Sequence, residues 1–265
     1  MIRERIYFGK TDERPYIDTY ILDQIGDCDK CRGAVIILPG GAYSMTSERE
    51  GEPVAMKFAA AGYHAFVLSY RVLPKKYIEP LEDLARAVSL LRAKAKEWRI
   101  DPDDITICGF SAGRHLAAML GVFWDKSFLS ELTETDSCYF RPNRIVLGYP
   151  VITSGKYGHE GSFITLSHSD ESQRDLLSLE KQVNENTPPT FLWHTADDAI
   201  VPVENSLMFA AALSNYKIPF EMHIFPLGCH GQSVAEDYVF KSDPDKCSYD
   251  CAEWIPLALK WMKNN

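Results

Sequence analysis

Gly109-Phe110-Ser111-Ala112-Gly113 is the stretch of this 265-residue chain whose spacing most directly offers chemistry. A serine hydroxyl is a weak nucleophile until a base takes its proton. The left flank, Ile105-Thr106-Ile107-Cys108, is a short apolar, β-branched run that reads as a buried strand. The right flank, His115-Leu116-Ala117-Ala118-Met119-Leu120, is rich in helix formers. A Gly-x-Ser-x-Gly between a strand and a helix forces a sharp turn at the serine, and its two glycines remove side chains that would collide there. An anion forming at that helix N-terminus also meets unpaired backbone N–H groups.

The base would be a histidine, and the histidine needs a carboxylate to hold its tautomer. Downstream of Ser111, His194-Thr195-Ala196-Asp197-Asp198-Ala199-Ile200-Val201-Pro202 follows a strand-like run and supplies two adjacent carboxylates. Gly228-Cys229-His230-Gly231 follows the last such run and supplies an imidazole. The order Ser, Asp, His differs from the orders used by chymotrypsin-like and subtilisin-like enzymes. A fourth part, a trap for a tetrahedral oxyanion, is offered by backbone N–H groups near Gly40, Gly41 and Ala42 and by the N–H of Ala112. His115, one helical turn from Ser111, reads as a packed helix residue, and His194 as a scaffold for the acid loop.

The elements that must position these groups follow from periodicity. Residues 5–8 and 17–25 read as opening strands, and Ala34 to Leu38 as a continuous buried strand broken by Pro39-Gly40-Gly41. A helix over about Arg49 to Ala61 ends at Gly62, and His64 to Tyr70 is the next strand. Apolar residues from Leu81 to Trp98 recur at helical spacing and predict one amphipathic helix, after which Asp101-Pro102-Asp103 turns the chain into the strand before Ser111. Strands are expected at Arg144 to Tyr149, Phe191 to Thr195 and Phe220 to Phe225, with helices at about Glu204 to Ser214 and Cys251 to Met262. Alternating strands and helices imply βαβ units, a mostly parallel sheet and helices on both faces. In such sheets the ligand sits outside the carboxyl ends of the strands, where each candidate group above falls. Residues 154–187, polar and serine-rich, lie between two strands and are expected to cover the substrate within a single domain spanning 1–265.

Composition narrows the partners. At 46% hydrophobic and 25% charged this is ordinary globular material, and a net charge of −9 leaves no nucleic-acid footprint and disfavours an anionic membrane surface. The longest aliphatic runs are too short to span a bilayer, and the first residues lack the apolar stretch of a signal peptide, so a cytoplasmic location is expected. Seven cysteines, an odd and scattered set, argue against a disulfide framework. Cys28 with Cys31 and Cys247 with Cys251 lie at opposite ends of the chain without paired zinc spacing, so reduced thiols and no metal are expected.

The pieces Leu38-Pro39-Gly40-Gly41-Ala42-Tyr43, Tyr70-Arg71-Val72, Gly109 to Leu116, Pro188 to His194 and Gly228-Cys229-His230-Gly231 resemble the α/β-hydrolase superfamily. More narrowly they resemble bacterial carboxylesterases described as acetyl-xylan-esterase-like or hormone-sensitive-lipase-like. The resemblance runs from about residue 30 onward. It implies an α/β-hydrolase fold and a cofactor-free serine esterase acting through an acyl-enzyme on short acyl esters, acetylated sugars among them. In that family the acid commonly stands three residues before a Val-Pro pair, which implies the triad Ser111, Asp198 and His230. Gly41, Ala42 and Ala112 are then expected to supply the oxyanion hole. Two departures stand out: Pro39 where relatives often have histidine, and Arg114 where they have a small residue. Arg114 is expected either to face the substrate and select anions or to pair with a surface or interface carboxylate, and Tyr43 to line the pocket. A small-molecule ester is the expected partner, with self-association open. The alternatives are a peptidase of the same fold and a non-catalytic ligand-binding protein, against which the intact triad candidates argue.

Overall fold

A computed structural model describes residues 1–8, 15–26, 30–75, 77–167, 170–240 and 243–265; Cys28 and His168 lie outside them. Eight strands form one sheet: β1 (Arg5–Tyr7), β2 (Tyr16–Tyr20), β3 (Arg32–Leu38), β4 (His64–Ser69), β5 (Ile100–Phe110), β6 (Arg144–Gly148), β7 (Thr190–Thr195) and β8 (Phe220–Phe225). Their spatial order is β1-β2-β4-β3-β5-β6-β7-β8. The first two strands join by antiparallel pairing, and every contact from β4–β3 to β7–β8 is parallel. This is the α/β-hydrolase arrangement expected from the sequence.

The central strands carry apolar residues on both faces because both faces are covered. Ala34, Ile36 and Leu38 of β3, Ile105 and Ile107 of β5 and Ile145 and Leu147 of β6 enter one core. Val35, Ile37, Cys108, Phe110 and Val146 enter the other. The first core is closed by α2 (Ile78–Ala93) and by α4 (Ala112–Phe123), with α1 (Glu52–Ala60) on the other side and α3 (Ala95–Trp98) between α2 and β5. Further along come α5 (Ser127–Thr133), α6 (Glu160–Ser167), α7 (Arg174–Leu177), α8 (Glu204–Asn215) and α9 (Trp254–Met262). Of these, α8 packs on the first core and α9 on the second. The result is a three-layer sandwich whose strand carboxyl ends lie along one rim.

Three elements differ from the periodicity reading. The helix expected from Leu81 to Trp98 begins earlier, at Ile78, and breaks at Lys94. Beyond the break Trp98 stacks on Phe66 with ring centroids 5.6 Å apart. The expected turn at Asp101-Pro102-Asp103 is absorbed into β5 as a bulge, where pairing jumps from Arg32↔Ile100 to Ala34↔Ile105. The helix expected from Arg49 begins instead as a 3₁₀ turn, Glu48–Glu50, with α1 proper starting at Glu52.

Every residue of α4 is buried. Residues 154–187 supply part of that cover: the His115 Nε2–H donates to the Leu177 carbonyl at 2.9 Å, and the rings of His115 and Phe163 meet edge to face. The segment is also tied to itself, with Ser154 Oγ 2.7 Å from Ser178 Oγ.

Candidate active site

At the end of β5 the chain reverses sharply into α4. Ser111 takes φ 51° and ψ −118°, a left-handed conformation that L-residues rarely adopt. Crowding explains the glycine beside it: a side chain on Gly113 would stand 2.2 Å from the Leu38 carbonyl oxygen. The turn therefore lies directly against the end of β3, and the serine side chain stands partly exposed above the sheet.

Two further strand ends converge on it. After β8, His230 points its Nε2 at Ser111 Oγ, 2.8 Å away. After β7, Asp198 Oδ2 accepts from His230 Nδ1 at 2.7 Å. A carboxylate only accepts, so Nδ1 carries the hydrogen and the Nε2 lone pair faces the serine hydroxyl. Asp198 is 6% exposed, and its Oδ1 accepts from the backbone N–H groups of Ile200 and Val201, both at 2.9 Å. Burial alone would raise its pKa. The His194 imidazole 3.5 Å from Oδ2, with the hydrogen bonds from His230 and the Val201 N–H, outweighs that and holds the carboxyl well below the usual carboxylate range. His194 is fully buried: its Nε2–H donates to the Val201 carbonyl at 2.9 Å while Ser206 Oγ lies 2.7 Å from Nδ1. Desolvation lowers its pKa, so it stays a neutral brace under the acid loop. Asp197, the other carboxylate of the pair, turns away and accepts from the Gly228 N–H at 2.8 Å.

The loop after β3 lies beside the nucleophile. A Cβ on Gly40 would stand 2.8 Å from Ser111 Cβ, so only glycine permits this approach. Three of its carbonyls are engaged elsewhere: Pro39 O accepts from Tyr70 Oη at 2.6 Å, Gly40 O from Ser47 N at 2.8 Å, and Gly41 O from Ser44 N at 2.9 Å. In a trans peptide the N–H points opposite to the C=O. Gly41 N–H and Ala42 N–H are accordingly turned away from the 44–47 turn.

Two residues expected at the substrate lie elsewhere. Arg114 is 0% exposed, so it is neither a substrate contact nor a surface ion pair. Its Nε donates to Gly109 O at 2.6 Å and its Nη1 to Trp193 O at 3.3 Å, joining the ends of β5 and β7. The guanidinium sits among the rings of Phe110, Tyr149 and Trp193, and loss of hydration pushes its pKa well below the usual range. Tyr43 is 1% exposed, and its hydroxyl donates to His115 Nδ1 at 3.0 Å.

Sequence reasoning passed over three residues. Glu50 and Tyr149 are buried polar groups beside the triad, joined Oε1 to Oη at 2.7 Å. Asn205 is fully satisfied inside the protein: it accepts from Ile152 N and Thr153 N and donates to Tyr157 O and Pro202 O. It thereby pins the start of the 154–187 segment to the acid loop. An acidic run such as Ser47-Glu48-Arg49-Glu50 carries no periodic signal that one member turns inward. Among the described residues no cluster of histidine, cysteine and carboxylate is placed to hold a metal ion. No helix among them is long and apolar enough to cross a membrane.

An eight-stranded sheet with a serine at the β5 turn, an acid after β7 and a histidine after β8 defines an α/β-hydrolase-fold protein. The chain belongs to the family described as BD-FAE, whose model matches residues 27–213. It is 43% identical over 220 residues to an endo-1,4-beta-xylanase B of Butyrivibrio fibrisolvens, covering 80% of this chain and 34% of that protein. It is 29% identical over 231 residues to an acetylxylan esterase of Xylanibacter ruminicola, covering 84% and 45%. The chain thus spans a third to a half of the length of these relatives. Among solved structures, an acetyl ester-xyloside bifunctional hydrolase from Caldicellulosiruptor lactoaceticus superposes with TM-score 0.81 at 40% identity, covering 96% of this chain and 89% of that one. The carboxylesterase Cest-2923 from Lactobacillus plantarum superposes with TM-score 0.90 at 29% identity, covering 100% and 98%.

Proposed function

We propose that this protein is a serine carboxylic ester hydrolase that removes short acyl groups, acetyl esters of carbohydrates being the favoured substrate class. The observation that carries the reading is the continuous path from Ser111 Oγ through His230 to Asp198, at 2.8 and 2.7 Å. Ser111 Oγ attacks the ester carbonyl while its proton passes to His230 Nε2. The N–H groups of Gly41, Ala42 and Ala112 hold the oxyanion, a contribution that typically amounts to about 10²–10³ in kcat per donor. His230 then gives the proton to the leaving alcohol, and the acyl group stays on Ser111. Water repeats the sequence with His230 as base, releasing the acid and restoring the serine. Asp198, ionised throughout, holds His230 in the required tautomer. The similarity to an acetylxylan esterase and to an acetyl ester-xyloside hydrolase supports the carbohydrate ester. Residues 154–187 act as cover for the acyl site rather than as a separate domain.

A fluorophosphonate probe tests the reaction class, with Ser111 the expected site of labelling by peptide mass spectrometry. Acetate release from acetylated xylo-oligosaccharides, alongside 4-nitrophenyl esters of graded length, tests the substrate. Acetyl or propionyl esters should be hydrolysed fastest. A maximum in kcat/KM at about ten carbons or more would favour a lipase instead.

A further inference from the structure

Glu50 is 3% exposed, and both of its carboxylate oxygens are used on opposite sides of the site. Oε2 accepts from the Gly40 N–H at 2.8 Å, at the root of the loop carrying Gly41 and Ala42. Oε1 accepts from the Tyr149 hydroxyl at 2.7 Å. That hydroxyl in turn accepts from the Ser233 N–H at 3.0 Å, three residues beyond His230. The Tyr149 ring also stands edge to face against the His230 imidazole, centroids 5.0 Å apart, and is held in a left-handed backbone conformation with φ 52°. The Ser233 carbonyl is fixed by Trp254 Nε1 at 2.8 Å. One buried carboxylate therefore ties together the loop after β3, the end of β6 and the loop after β8. None of these segments is adjacent in sequence.

A buried carboxylate is costly to keep unless its oxygens are fully bonded, so a merely structural position would be filled more cheaply by an apolar side chain. What this one supplies is orientation. By binding Gly40 N–H, Glu50 fixes the Pro39–Gly40 peptide plane, one unit ahead of the peptide that carries the Gly41 N–H. By binding Tyr149, it fixes the ring against which His230 packs.

We propose that Glu50 is a positioning residue that couples the alignment of the oxyanion donors to the placement of His230, through Gly40 on one side and Tyr149 on the other. The proposal rests on the hydrolase reading above. An oxyanion contact is made in the transition state and not in the ground state, so misalignment lowers kcat while leaving KM nearly unchanged.

The experiment compares Glu50→Gln and Tyr149→Phe with the unaltered protein, using folded material judged by far-ultraviolet circular dichroism and melting temperature. Readouts are kcat and KM on 4-nitrophenyl acetate, and inhibition by an alkyl trifluoromethyl ketone, which binds serine as a tetrahedral oxyanion. Glu50→Gln should lose about 10–100-fold in kcat with KM within about threefold, and trifluoromethyl ketone affinity should weaken in proportion. Tyr149→Phe, which keeps the ring and removes both hydrogen bonds of its hydroxyl, should show the same split with a smaller loss. In the double variant the losses should fall short of multiplicative, because both substitutions cut one network. A folded Glu50→Gln protein with kcat within about threefold of the original would overturn the proposal. So would activity lost only in step with unfolding, with unchanged ketone affinity in the surviving fraction. Should Glu50→Gln fail to fold, Tyr149→Phe decides by the same criteria. If the unaltered protein neither turns over esters nor takes the fluorophosphonate label, the hydrolase reading itself fails and this proposal falls with it.

Discussion

Asp197 and Gly228 are joined by a hydrogen bond from the Gly228 N–H to Asp197 Oδ1 at 2.8 Å, two residues ahead of His230. Its neighbour Asp198 bonds the imidazole itself. Two adjacent carboxylates thus serve the same histidine, one by holding its loop and one by holding its ring. Asp198→Asn should lower kcat by about 10³–10⁴, because an amide favours the wrong imidazole tautomer. Asp197→Asn keeps an oxygen acceptor for Gly228 and should lose less than about tenfold. Steady-state kinetics on the two folded variants checks the order; the reverse ranking would move the acid to Asp197.

Ser111 is held at φ 51°, where a Cβ is strained and glycine is not. Ser111→Ala and Ser111→Gly should both be inactive, with losses on the order of 10⁴ or more in kcat. They should differ in stability. Both lack the hydroxyl, so the Cβ alone separates them, and the glycine variant should be more stable than the alanine variant by about 1 kcal/mol. Thermal or denaturant unfolding measures the difference, and an equal or lower stability for the glycine variant would show the turn to be unstrained.

Arg114 belongs to the packing beneath the site. Removing it takes a donor from the carbonyls of Gly109 and Trp193, of which Trp193 O keeps the Tyr149 N–H, and opens a cavity among three rings. Arg114→Ala should cost about 3 kcal/mol or more. The relative rates on neutral and carboxylate-bearing esters should not change. A swing in that ratio with little loss of stability would put the guanidinium in contact with substrate.

His115 is buried between Tyr43 and Leu177, and burial pushes its pKa down to about 4 from an ordinary 6.5. In the unfolded chain it takes up a proton near pH 6.5, and in the native state it resists until about pH 4. Its neutral packing is therefore fully worth having above pH 6.5, and its contribution is lost progressively as the pH falls from 6.5 toward 4. The loss amounts to an order-of-magnitude 3 kcal/mol. His115→Gln, which keeps a donor for Leu177 and does not titrate, should be less stable at neutral pH but show a shallower decline over that window. Denaturant midpoints at pH 7, 5.5 and 4.5 compare the slopes; parallel curves would mean that His115 takes up its proton as readily in the native state as in the unfolded chain.

Much of this is legible in the sequence. The buried strands announced themselves as unbroken apolar runs, since a parallel sheet covered on both faces demands them. Ser111 and Asp198 each follow such a run and His230 follows the alternating edge strand β8, so the rule that ligands sit at strand carboxyl ends brings them to one rim. Arg114 and Glu50 were opaque for a shared reason. Charged side chains are seldom buried, and nothing local distinguishes the rare one that is. Their burial is decided by Tyr149, Trp193 and Gly40, which come from other parts of the sheet. The break at Lys94 is hidden as well, because apolar spacing continues through it.

Ser111 and His230 touch across 119 residues of chain, with β6, β7 and β8 added to the sheet between them. No shorter stretch of sequence contains the pair in working order. On the hydrolase reading, refolding protein would show no hydrolysis until the edge strand β8 docks and delivers the loop that carries His230. The return of ester turnover would therefore report the docking of β8, legible in a refolding mixture without any spectroscopic label.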